Sequence, residues 1–128
     1  MDVVKWDKQK ISSRDKRSEQ LWLLLQTKKL FPGEEIVEDF HHAEISRKSG
    51  CNVEFDVFLP ERRMALEYHG EQHYHDTPGA GFAPLEMYQR RDVEKQEICS
   101  KNNITLVVVP YWWDGTLEQL KYFLNYKF

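Results

Sequence analysis

NVEFDVFLPERRMALEYHG, residues 52–70, decides the fold. Val53, Phe55, Val57 and Leu59 alternate with Asn52, Glu54, Asp56 and Phe58, the period of two that marks a strand. Met64, Leu66 and Tyr68 alternate with Ala65, Glu67 and His69 in a second strand ended by Gly70. The intervening Pro60-Glu61-Arg62-Arg63 is a tight connection. A turn centred between Glu61 and Arg62 sets Leu59 opposite Met64 and Asp56 opposite Glu67. Glu54, Asp56, Glu67 and His69 are then expected on one face, and Val53, Phe55, Val57, Leu59, Met64, Leu66 and Tyr68 on the core face.

Residues opposed in this way have Cβ atoms about 4.5–5.5 Å apart. At an effective dielectric of about 20, two carboxylates at that separation repel by roughly 3 kcal/mol. A divalent cation held by oxygen ligands would offset that cost. The bland alternative is a solvated face relieved by Arg62, Arg63 or a helix arginine. Against it, Glu67 runs into Tyr68-His69-Gly70-Glu71-Gln72-His73-Tyr74-His75, the densest cluster of titratable and polar groups in the chain.

Outward from this hairpin, a helix is expected from a cap at Ser12 or Ser13 to about Lys29, stopped by Phe31-Pro32-Gly33. Glu35–Phe40 reads as a short strand and His41–Cys51 as a polar loop. Residues 70–84 are rich in Gly and Pro, and loops of that length are usually functional or disordered. A helix is expected from about Leu85 to Asn102, after Pro84. Ile104–Pro110 is a continuous apolar strand suited to a buried parallel position. Thr116 with Gln119 forms a capping-box pattern opening a last helix. The order α-β-β-β-α-β-α predicts an α/β fold, a mixed four-stranded sheet flanked by helices. Its last strand should lie parallel to the strand before it.

The 128 residues suit a polar leader over 1–12 and a single domain over 13–128. The net charge of −3 is unevenly spread. Residues 1–30 hold 8 basic and 4 acidic groups, and the remainder 10 basic and 17 acidic. The longest aliphatic run, Leu21-Trp22-Leu23-Leu24-Leu25, is far too short for a membrane span, and no secretory signal core opens the chain. Cys51 and Cys99 are too few for a disulfide scaffold, so reduced thiols and an intracellular setting, cytoplasm or nucleus, are expected.

Asp56, followed about ten residues later by Glu67-x-His69, resembles the core of the PD-(D/E)xK nuclease superfamily, the restriction-endonuclease-like fold. Within it, LEYHGEQHYH followed by Arg90-Arg91-Asp92 resembles the very-short-patch repair endonucleases and the EDxHD homing endonucleases. The resemblance covers about residues 13–113. It implies a catalytic set of Glu19 on the first helix, metal-binding Asp56, Glu67, His69, His73 after the third strand and Asp92 on the next helix. The lysine of the superfamily's ExK is His69 here. A histidine gives a weaker, pH-dependent charge, which leaves a nuclease-like nucleic-acid-binding module without catalysis as the alternative.

The expected reaction is metal-dependent endonucleolytic hydrolysis of DNA phosphodiester bonds. Asp56 and Glu67 would hold Mg²⁺ or Mn²⁺, His69 or His73 would act as base or developing cation, and Asp92 would orient His73. Asp92 falls on a helical stripe with Tyr88, Lys95 and Cys99; its bland reading is a surface pair with Lys95 or Arg91. Glu19 could equally be a glutamate favoured by the helix dipole. The basic residues Lys10, Arg14, Lys16 and Arg17 are expected on the phosphate backbone. A rival set, His41-His42 with His69, His73 and His75, would make a zinc-stabilised interaction domain. Trp112-Trp113 suits core packing or base stacking. Nothing resembles a separate DNA-reading domain, so specificity is expected from a homodimer or a targeting partner.

Overall fold

The computed structural model describes residues 16–76 and 83–127. The leader over 1–12, the Ser12/Ser13 cap, Lys10 and Arg14 lie outside the described residues. Lys16 and Arg17 open the first helix.

The elements are α1 (Lys16–Leu30), β1 (Val37–Ser46), β2 (Asn52–Leu59), β3 (Met64–His69), α2 (Leu85–Lys101), β4 (Thr105–Pro110) and α3 (Leu117–Lys127). Short 3₁₀ turns at Pro60–Arg62 and Glu71–His73 follow β2 and β3. One sheet runs β1-β2-β3-β4, antiparallel across its first three strands and parallel between β3 and β4. The expected hairpin register holds, with Leu59 opposite Met64 and Val57 opposite Leu66.

Alternation along β3 and β4 assigns two cores to opposite faces. Met64, Leu66, Tyr68, Val107 and Val109 pack with Leu23 and Leu24 of α1 and Leu120 and Leu124 of α3. Ala65 and Leu106 pack with Cys99 of α2. The sheet is therefore mixed and covered by helices on both faces, as such a strand–helix–strand crossover requires. No helix among the described residues is long and apolar enough to cross a membrane.

Two expectations are corrected. The stretch His41–Ser46, expected as loop, continues β1 along β2, with His41 opposite Glu54 and Ser46 opposite Asn52. An edge strand hydrogen-bonds on one side only and needs no continuous apolar face, so its polar sequence hides it. The expected core face also fails at one end. Val53 and Phe55 pack with Phe58, Ala65 and Cys99 on the α2 side, although Phe55 and Phe58 are three residues apart. The alternation slips between Phe55 and Val57. At the same level of β1, between the partners of Val57 and Phe55, Asp39 takes a left-handed backbone with φ 50° while the pairing register continues across it; the shift in the β1–β2 ladder comes later, between His41 and Ser46.

The ends of the elements are tied by specific bonds. The Thr116 hydroxyl accepts from the Gln119 amide at 3.2 Å, capping α3, while the Gln119 side chain accepts from the Asp114 amide. Gly115, at φ 85° in this corner, presents its carbonyl to Trp22 Nε1 (2.8 Å) and Gln26 Nε2 (2.9 Å), which fastens α1 to the β4–α3 connection. Trp113 is a core residue at 1% exposure, whereas Trp112 is 55% exposed. Both thiols are free, Cys51 exposed and Cys99 buried. Leu66 is fully buried on a central strand. Leu66→Ala should destabilise the domain by about 2–5 kcal/mol, read from chemical denaturation midpoints.

Candidate active site

The register between β2 and β3 ends at Val57 and Leu66. Beyond it, the Tyr68 amide donates not to a strand carbonyl but to Asp56 Oδ2 at 2.8 Å. Gln20 of α1 donates to Asp56 Oδ1, also at 2.8 Å. Asp56 thus stands where the two strands part and is engaged from the α1 side. Glu67 points the other way, toward α2, where Lys95 Nζ is bonded to its Oε2. The two carboxylates do not share a sheet face, contrary to the alternation read from sequence. They reach one cleft from opposite sides of the parting strands.

That cleft has a volume of about 440 Å³. Asp56, Glu67, His69, His73 and Asp92 all line it, together with Gln20, Gln72, Tyr88, Arg91 and Lys95. Asp39, His41, Arg47 and Glu54 line its β1 side. Glu19 is buried on α1 and is not among the lining residues; its neighbour Gln20 reaches in instead.

Glu67 and Lys95 are both buried, at 7% and 6% exposure. Burial alone pushes the Glu67 carboxyl up, but the hydrogen bond with His69 and the adjacent Lys95 ammonium outweigh it and hold the carboxyl below its ordinary value. Lys95 thus reaches Glu67 from a helix, 28 residues away in sequence.

His69 lies between two acids, with Nε2 3.4 Å from Glu67 Oε1 and Nδ1 3.8 Å from Asp92 Oδ2. His73 Nδ1 donates to Asp92 Oδ2 (2.9 Å) and Oδ1 (3.1 Å). An ionised carboxylate only accepts, so this bond places the proton on Nδ1 and leaves Nε2 as the basic nitrogen of the neutral ring. The His69 and His73 rings stack, with centroids 4.0 Å apart and planes 13° apart, and Tyr88 closes the far side at 5.1 Å from His73.

Among the described residues, the group of His, Cys, Asp and Glu close enough to share a metal ion is His69, His73 and Asp92. Its geometry does not suit one ion. A metal lies in the plane of each imidazole that binds it, about 2.0–2.1 Å from the nitrogen, and two parallel planes stacked 4.0 Å apart offer no such common point. The five-histidine zinc set is dispersed. His41 faces Glu54 (3.4 Å), His42 packs on Phe40, and His75 bonds the Tyr111 hydroxyl (3.1 Å).

Sequence reasoning missed Lys95 and Gln20. Lys95 had a signal, a lysine on a helical stripe whose other members face the sheet; Gln20 had none.

Comparison with curated proteins finds similarity to three uncharacterized viral proteins. The chain is 38% identical over 69 residues to protein 307L of Invertebrate iridescent virus 6, covering 52% of this chain and 35% of that protein. It is 35% identical over 65 residues to protein 033L of Invertebrate iridescent virus 3, covering 49% and 34%. It is 31% identical over 74 residues to protein 094L of Frog virus 3, covering 56% and 48%. The matches span about a third to a half of the length of these relatives. No family model and no solved structure matches the chain.

The buried pair gives a signed pH test. A carboxyl held below its unfolded value contributes stability above about pH 4.3 that is lost as pH falls through the lower folded value. Lys95→Met removes the cation and leaves burial opposed by His69. The variant should lose about 3–5 kcal/mol near neutral pH. Its urea midpoint should then fall as pH rises from about 5 to about 7, the opposite of an acid-labile pair.

Proposed function

We propose that the chain is a metal-dependent endonuclease of the restriction-endonuclease-like fold, hydrolysing phosphodiester bonds in DNA with Mg²⁺ or Mn²⁺. The observation that carries this reading is the convergence, in one 440 Å³ cleft, of two carboxylates, a buried lysine and an aspartate-oriented histidine. Hydrolysis of a phosphodiester needs those kinds of group: ligands for a hard cation, a fixed positive charge and a proton acceptor. The strand and helix order and the mixed sheet support the same fold assignment.

Asp56 and Glu67 are the residues that would hold the cation. Their donor type fits: both carboxylates line the one cleft, and carboxylate oxygen is the preferred donor for Mg²⁺ and Mn²⁺. A cation bound there would act as Lewis acid on the phosphate. Lys95 helps hold the Glu67 carboxyl below its ordinary value and lines the cleft, which supports a place for it in the role that the superfamily's lysine has and His69 here does not fill. Asp92 fixes the His73 tautomer, so that Nε2 is the atom that takes the proton of the attacking water. His69, stacked on His73 and set between Glu67 and Asp92, positions that ring. Arg91 on α2 and Arg47, just after β1, line the same cleft and supply charge for the flanking phosphates.

Asp56→Asn keeps a hydrogen-bond acceptor for the Tyr68 amide and removes the charge. It should unfold cooperatively, as the parent does, and abolish Mg²⁺-dependent cleavage of DNA; undiminished cutting would sink the assignment. His73→Ala should slow cleavage by about 10²–10⁴-fold, measured under single-turnover conditions.

A further inference from the structure

Beside the cleft lies an aromatic cluster that none of the preceding chemistry uses. Tyr74 follows His73 directly, and its ring is 5.0 Å from Trp112 and 5.6 Å from Tyr111. Tyr111 and Trp112 in turn lie 5.3 Å apart. The three rings come from two segments, the turn after β3 and the corner after β4. That corner is held by buried Trp113, whose Nε1 donates to the Thr116 carbonyl at 3.0 Å.

Trp112 is more than half exposed at 55%, a large cost for a tryptophan that serves only packing, since its neighbour already fills the core. Burial and the nearby Asp92 charge push the Tyr74 phenol up to about 12, which sets this ring within electrostatic reach of the cleft.

We propose that Tyr74, Tyr111 and Trp112 form a stacking platform for unpaired nucleobases, so that the substrate of the cleft is single-stranded or locally opened DNA. This rests on the nuclease reading for the chemistry at the cleft, but the platform can be tested without it. The bases of an intact duplex have their faces covered by neighbouring pairs, whereas an unpaired base offers a whole face to an exposed aromatic ring. The platform is continuous with the cleft through the Tyr74–His73 peptide, so a strand stacked there would lead its backbone toward His73.

The test measures fluorescence anisotropy of labelled oligothymidylate and of a mixed-sequence duplex of equal length, in the Asp56→Asn background so that nothing is cut. That protein should prefer the single strand. Adding Trp112→Ala should lower the preference about tenfold, and Trp112→Phe should restore most of it. An unchanged preference, no binding of either DNA, or a Trp112→Ala effect confined to self-association in sedimentation would overturn the proposal. Cleavage by the parent protein is scored separately. Platform-dependent binding without cleavage would refute the nuclease reading and keep this one; cleavage with an unchanged preference would do the reverse.

Discussion

A buried carboxylate and a buried ammonium in contact set the terms for this fold. Neither Glu67 nor Lys95 can be removed from water alone, because an isolated charge in the interior costs several kcal/mol. Together they dictate the distance between α2 and the sheet and the rotation of α2 about its axis. With Lys95 fixed on Glu67, Cys99 one turn later falls into the apolar cluster with Ala65 and Leu106, and Asp92 one turn earlier falls beside His73. The same helix therefore seals a core with one end and builds a polar site with the other.

The second constraint is the parting of β2 and β3. A sheet that stayed paired would satisfy the Tyr68 amide with backbone. Here a side chain does so, and the carboxylate that supplies it is thereby held rigidly at the mouth of the gap. The cost of opening the ladder is offset by a bond to a charged acceptor, the stronger kind. Irregular backbone at Asp39 and the slip between Phe55 and Val57 are the local distortions that accompany the opening. Strands that separate on the way to a site are a means of turning side chains from two faces into one cavity.

This geometry also explains what the sequence discloses and what it hides. The hairpin register was legible because Val57, Leu59, Met64 and Leu66 are apolar at strict alternation and the Pro60 turn leaves no slack. The slip at Phe55 was not, because a strand whose alternation inverts still reads as alternating from either end. The polar half of β1 was hidden by its edge position. The pairing of His73 with Asp92 was implied by the family resemblance and allowed by the helical stripe, but Lys95, 28 residues from Glu67, lies outside any short motif. An ion pair depends on distance in space alone, so a lysine arriving from a helix satisfies the same electrostatics as one two residues along the strand.

The two thiols occupy opposite chemical situations. Cys99 is sealed under α2, where burial, with Glu67 alongside and Lys95 only partly countering them, pushes it up to about 11, away from the reactive thiolate form. Cys51 is exposed in the β1–β2 connection, and its carbonyl accepts from the amide of Arg47, a residue lining the cleft. Among the described residues Cys51 is thus the one exposed thiol, and it is bonded through its backbone to the rim of the cleft. A maleimide dye or spin label would attach there without any cysteine being engineered in or out.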